Sequence, residues 1–385
     1  MDKWIEINID AVKNNLQEVK TLLAGKARLI AVVKANAYGH GAEETARILC
    51  QNGVDFLAVT FYYEAIQLRK AGINADILVF SPLVSETDAE EAISNCLTLT
   101  IGSDDDRELL ERVSAGQNLE VKIHLKIETG LGRFGLDEED AVRVCRQVFP
   151  NKKLQVEGIY THTADPTSHN YTAQQFQKFM QVVKRLEGEG FVIPIKHLAN
   201  SAVVLTSPDM YLDAVRIGTL LSGQHPIGNF PTRLQLQDPY CFKSRIISLR
   251  TLGKGSFLGY YRSFQLKQKS RIAVIPVGFY DGLAVEVANK PLGFLDMLKK
   301  LAKIILGYFN VSRFNLYVTI KGKDYPIRGK VFMQMALLEI PAEADVEIGD
   351  EVEVPVRKTL ASRSITRLYI QGGKTEHIAY GEGID

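Results

Sequence analysis

Leu29-Ile30-Ala31-Val32-Val33-Lys34-Ala35-Asn36-Ala37-Tyr38-Gly39-His40-Gly41 decides how the rest of the chain is read. The apolar run from Leu29 to Val33 has the character of a buried strand, and it stops at a lysine followed by small, turn-forming residues. Loss of water at such a position favours the neutral form of the amine. A neutral amine can condense with an aldehyde cofactor such as pyridoxal phosphate (PLP). The other reading of Lys34 is a surface lysine that opens a loop, which is where most lysines lie.

Similar apolar runs recur on the C-terminal side. They cover residues 28–33, 55–59, 76–80, 97–100, 121–127, 154–160, 194–198 and 212–216, and most are separated by segments of helical period. Those segments are 43–51, 62–72, 104–113, 138–149 and 174–189, with a short one at 86–94 and a shorter one near 201–205. A further helix is predicted over 10–23, with Asp10 as its N-cap and Gly25 near its stop. Eight strands alternating with helices in roughly 200 residues predict a closed (β/α)8 barrel. An open doubly wound sheet would want a Gly-rich phosphate turn after its first strand, and no GxGxxG stands there.

A barrel of this kind presents its working residues at the carboxyl ends of its strands. Lys34 ends the first, Lys126 and Arg133 bracket the end of the fifth, and His162 follows the sixth. His197, Asn200 and Ser201 close the seventh, and Arg216 ends the eighth. Any one of these has a structural explanation, but polar groups at the same end of five strands point to a site. Beyond about Gly223 strand-like runs dominate, at 243–249, 270–277, 315–321, 330–338 and 347–356. The domains are therefore predicted as a barrel over 8–225 and a mostly β domain made of 1–7 and 226–385.

The bulk properties narrow the partners. With 46 basic and 45 acidic residues among 385, the net charge of +1 offers nucleic acid no attraction. The four cysteines have no metal-ligand spacing, so no metal is expected, and their sparseness suits a reducing compartment. The N-terminus alternates like a strand rather than carrying a signal core, and no apolar run reaches membrane-span length. A cytoplasmic protein without a membrane partner is expected.

The segment from Lys34 to Gly41 resembles the PLP-lysine signature of the alanine racemase family. Leu125-Lys126-Ile127-Glu128-Thr129-Gly130, Tyr160-Thr161-His162, His197-Leu198-Ala199-Asn200-Ser201 and Val215-Arg216-Ile217-Gly218 follow in family order. Gly259-Tyr260-Tyr261-Arg262 and Pro276-Val277-Gly278-Phe279-Tyr280-Asp281-Gly282 come later. The resemblance spans about 3–370 and implies a homodimer with shared active sites, acting on an amino acid through PLP. It implies that Lys34 and Tyr260 of the partner subunit are the two bases, linked through His162 to Arg216 at the pyridine nitrogen. Tyr38, Ser201, Gly218 and Thr219 match phosphate contacts, and His197 and Asn200 complete the cofactor surroundings. Arg133 matches a residue beside the cofactor's phenolic oxygen and the substrate. Lys126 matches a lysine that can be a carbamate, and Met333 matches a backbone contact to the substrate carboxylate.

Several positions depart from the family pattern. Phe279 stands where the family has a tyrosine, Gln334 where it has an aspartate, Ser222 where it usually has a tyrosine, and Pro355 falls where a phosphate-binding tyrosine is expected. These leave open a preference for serine or another amino acid, or a non-catalytic PLP-binding or regulatory role. A decarboxylase fits less well, because it would want an acid where Arg216 stands. A helical insertion near 292–309 is predicted, with an amphipathic period over 294–306 and three lysines on its polar side. It is expected to pack on its own β domain or on a dimer partner, with a membrane surface as the other reading.

Overall fold

The computed structural model describes residues 1–226, 233–286, 293–308 and 315–381. It divides into two compact units, residues 9–239 and residues 1–8 with 240–385.

In the first unit, the predicted strands form at β2 (Arg28–Val32), β3 (Phe56–Val59), β4 (Asp76–Val79), β5 (Leu99–Ile101), β6 (Val121–Lys126), β7 (Leu154–Tyr160), β8 (Ile195–Asn200) and β9 (Ala214–Ile217). All pair in parallel, in the order β4-β3-β2-β9-β8-β7-β6-β5. The two ends meet: Val79 N donates to Thr98 O and Thr98 N to Ile77 O, each at 2.9 Å. That closes the predicted barrel. Its interior is filled by inward side chains such as Ile30, Phe56, Ala58, Leu78 and Ala214, all of them buried.

Several of the helices between these strands begin at a side chain that takes up loose N–H groups. Ser85 caps Glu86–Ser94, Ser103 caps Asp104–Gln117 and Asp137 caps Glu138–Val148. Ser168 does the same for His169–Gly188, which is why that helix begins five residues before the predicted 174. The short helix predicted near 201–205 is a single 3-10 turn, Val203–Leu205.

The second unit centres on β1 (Lys3–Asn8), which runs antiparallel to β10 (Tyr240–Arg245) and parallel to β19 (Arg367–Gln371). The run predicted over 243–249 is divided between two sheets. Ile246 N donates to Asp350 O and Ile247 N to Val274 O, so the backbone passes from the sheet of β10 to that of β11 (Ser248–Leu252). The run over 330–338 becomes strand only at Ala336, and that over 347–356 only at Glu351–Glu353. Both departures have one cause, since a strand exists where a neighbour supplies hydrogen bonds and not merely where residues are apolar.

The predicted insertion is a helix at Phe294–Tyr308; residues 292 and 309, which bounded the prediction, lie outside the described residues. Its side chains from 294 to 306 are exposed or half-exposed among the described residues. Among the described residues no helix is long and apolar enough to cross a membrane.

Candidate active site

The carboxyl ends of the barrel strands surround a cavity of about 370 Å³. Lys34, Tyr38, Arg133, His162, Asn200, Ser201, Arg216, Gly218 and Thr219 all line it, with Val32, Phe80, Tyr160 and Pro166 as its apolar walls. Of the positions predicted at separate strand ends, all but Lys126 and His197 line it.

Lys34 leads into a turn of unusual handedness. Ala35, Asn36 and Ala37 have φ of 51°, 55° and 50°, and Tyr38 has 57°. Non-glycine residues there cost about 1–2 kcal/mol each, so the surroundings must impose the conformation. Glu64 does so. Its buried carboxylate accepts from Ala35 N at 2.6 Å and from Thr60 N and Phe61 N at 3.0 Å. Asn36 Oδ1 accepts from Ala42 N at 2.8 Å and closes the far side. The turn leaves the Lys34 amine half-buried, where burial first and the Arg133 charge second push its pKa down, against a smaller opposing pull from Glu64.

Arg216 is buried and spans two strand ends. Its Nη1 donates to His197 Nδ1 at 2.8 Å, and its Nη2 to Thr161 O at 2.7 Å and His162 Nδ1 at 3.2 Å. Burial pulls its pKa to about 10, still well inside the cationic range at neutral pH. A guanidinium only donates, so both imidazoles present a bare Nδ1 and carry their proton on Nε2. Burial, and then the charge of Arg216, holds His162 and His197 well below the usual histidine pKa, so both are neutral. His197 Nε2–H then points at His124 Nδ1, 2.8 Å away. His124 is itself neutral, with its pKa lowered to about 3 by burial, and its ring fits because Gly158 has no side chain: a Cβ there would stand 2.4 Å from it.

Lys126 is buried beside this group and donates to Ile127 O at 2.8 Å. Burial, then Arg216, lowers its pKa to about 7. Arg133 is exposed, on a loop whose backbone N–H groups converge on Glu128, with Gly130 N at 2.5 Å and Leu131 N at 2.6 Å. Asn200 Oδ1 caps the following turn through Ala202 N and Val203 N, and its Nδ2 donates to Thr163 Oγ1. Gly218 N donates to Ser201 Oγ at 3.1 Å. A Cβ on Gly218 would stand 2.1 Å from the Tyr38 hydroxyl, so only glycine leaves this cradle open.

Tyr260 and Met333 belong to the β unit. Tyr260 is 64% exposed on a 3-10 turn entered through Gly259, and its ring meets Phe332 edge-on at 5.0 Å. Phe332 O and Met333 O accept from Phe279 N and Tyr280 N at 3.1 and 2.9 Å, so two of the recognised segments face each other. Gly278 makes this approach possible, since a Cβ there would lie 2.3 Å from both carbonyl oxygens. The off-pattern Phe279, Gln334 and Pro355 are exposed, whereas Ser222 is buried and donates to Thr219 O at 2.9 Å.

Sequence reasoning missed Glu64, His124 and Gln175 as parts of the site. Gln175 is buried and ties Thr129 Oγ1, His162 O and Ala164 N together. His124 had a usable signal, since it lies two residues before Lys126 and so on the same inward face of β6. Glu64 and Gln175 had none, because both come from helices and act on distant loops.

A closed (β/α)8 barrel with a lysine-bearing cavity at its strand ends, followed by a β domain, defines a narrow class of barrel enzymes. Two family models match, alanine racemase N-terminal domain over residues 7–226 and alanine racemase C-terminal domain over 240–370. The chain belongs to the alanine racemase family, whose members are PLP-dependent isomerases. It is 34% identical over 353 residues to alanine racemase 1 of Caldanaerobacter subterraneus subsp. tengcongensis, covering 91% of this chain and 84% of that protein. It is 34% identical to the alanine racemase of Methanococcus maripaludis, covering 91% and 88%. The crystal structure of Clostridium difficile alanine racemase superposes with a TM-score of 0.87 at 28% identity, over 99% of this chain and 98% of that one.

Proposed function

We propose that this chain is a PLP-dependent amino-acid racemase that interconverts L- and D-alanine. The observation that carries the reading is the cavity itself. Its lining includes a half-buried lysine of lowered pKa, a buried arginine and a glycine-cleared cradle of hydroxyls.

The residues present fit the cofactor. Lys34 would anchor it, Arg216 would face the pyridine nitrogen, and Tyr38, Ser201, Gly218 and Thr219 would hold the phosphate. His197 and Asn200 would support these contacts from behind, and Arg133 would lie beside the phenolic oxygen. When bound, PLP draws electrons from the substrate α-carbon and so acidifies its proton.

The chain supplies the proton carriers and their order. Lys34 is pushed toward its neutral form, so its amine can take a proton from one face of the α-carbon and return it. Tyr260 of the partner subunit would serve the other face. His162 would steady that phenolate, because Arg216 occupies its Nδ1 and leaves Nε2–H as a donor. A charged Arg216 facing the pyridine nitrogen would disfavour its protonation, which would favour return of the proton over side reactions. Met333 backbone would meet the substrate carboxylate, and the shared residues imply a homodimer. Lys126, with its pKa near neutrality, has the free amine that carbamate formation with carbon dioxide needs, and the carbamate would turn a cation into a partner for Arg133.

The test is chiral analysis of L-alanine and L-serine incubated with the purified protein and PLP. Alanine is expected to racemise, and Lys34→Ala to abolish the reaction. Faster conversion of serine would favour the second reading, for which Phe279 and Gln334 speak. PLP binding without α-proton exchange in D2O would sink both and leave the non-catalytic one.

A further inference from the structure

Among the described residues, none buries a side chain of the helix Phe294–Tyr308 between 294 and 306. Fifteen residues make a helix that is marginal in water unless something covers its apolar face. Yet its side chains from 294 to 306 are all exposed or half-exposed, and the ion pair from Lys303 Nζ to Glu286 Oε1 that ties it down is itself on the surface. A sequence that specifies this helix therefore implies a surface for it to lie on.

We propose that this surface is an anionic lipid bilayer, with the helix lying in the headgroup plane. At 3.6 residues per turn, Leu295, Met297, Leu298, Leu301, Ile304 and Ile305 form an apolar arc about 180° wide. A helix paired with its copy as a coiled coil buries only the narrow a/d seam. Such a pairing would leave Leu295 at one rim and Ile304 at the other still in water. A bilayer interface covers the whole arc at once.

The charge pattern fits the same partner. Lys299, Lys300 and Lys303 share the remaining face with a single acid, Asp296. Lys299 borders the apolar arc on the Leu295 side and Lys300 on the Ile304 side. Lysines at both rims can lay their stems along acyl chains and lift their ammonium groups to headgroup phosphates. The ion pairs to Asp296 and Glu286 are exposed, so they yield easily to a lipid surface. The mode is peripheral, and so does not need a spanning helix.

Sedimentation of the full-length holoenzyme with extruded vesicles tests this. Vesicles of phosphatidylcholine with phosphatidylglycerol should retain at least tenfold more protein than pure phosphatidylcholine, and retention should fall as salt rises. Leu301→Asp with Ile305→Asp should abolish it, and Lys299→Glu with Lys303→Glu should reduce it severalfold. Activity toward free substrate should be unchanged in both. Equal retention on neutral and anionic vesicles would overturn the proposal. So would a fall in molar mass by light scattering in the Leu301→Asp, Ile305→Asp variant without any loss of vesicle binding, which would assign the face to a second copy.

Discussion

The direction of hydrogen bonding around Arg216 comes from its being a donor on every nitrogen. That single fact sets the tautomers of His162 and His197 and makes His124 the last acceptor in the row. His124→Leu would strand the buried Nε2–H of His197, and it should lower stability by about 1–3 kcal/mol in chemical denaturation. His124→Gln, whose carbonyl can accept, should recover part of the loss; equal losses in both variants would show that His124 only fills space. Lys126 makes a second prediction. Its folded pKa of about 7 lies below the unfolded value of about 10.4, so between those limits the unfolded chain binds more protons. Stability should therefore rise with pH across that window, by up to about 1.4 kcal/mol per unit, and fall back as pH drops toward 7. Thermal melts from pH 7 to 9 in buffer free of carbon dioxide should show this slope for the wild type and not for Lys126→Met. Parallel curves would exclude a buried, titrating amine.

Among the elements, the left-handed turn from Ala35 to Tyr38 is where local preference loses to tertiary contact. Alanine, asparagine and tyrosine all favour negative φ, and the turn persists because Glu64 ties Ala35 N to the Thr60 and Phe61 N–H groups of the neighbouring loop. Glu64→Ala should cost about 2–4 kcal/mol and let the turn relax. Lys34 would then lose its aim, so the fraction of PLP fixed to the chain by borohydride should drop several-fold; undiminished fixation would separate the turn from cofactor capture. The position of Lys34 at a strand end was legible from apolar period alone, but the handedness after it was not. It depends on a carboxylate thirty residues away, on a helix whose own pattern gives no hint of the role. The β unit repeats the lesson, since the apolar run at 243–249 crosses from one sheet to another at Ile246, where hydrogen-bond partners change.

For the whole molecule, the proposed bases lie on different units, Lys34 in the barrel and Tyr260 on an exposed turn of the β unit. If each site is completed by the partner subunit, Lys34→Ala and Tyr260→Phe chains should complement when co-expressed. Random pairing makes about half the dimers mixed, each with one intact site, so about one quarter of wild-type activity should return. No recovery would place both bases in one chain. The alternation of apolar and helical segments by itself determined the closed barrel, because strand and helix periods are local properties of the chain. The motifs at the strand ends likewise pointed to the cofactor class through their resemblance to the alanine racemase family, with the amine of Lys34 as the group that can condense with an aldehyde. Only the tertiary structure decided the tautomers of His124, His162 and His197, the near-neutral pKa of Lys126, the left-handed turn at Lys34 and the exposure of the helix side chains from 294 to 306. Each of these depends on what lies opposite a side chain, and burial and hydrogen-bond direction exist only once distant strands have closed around it.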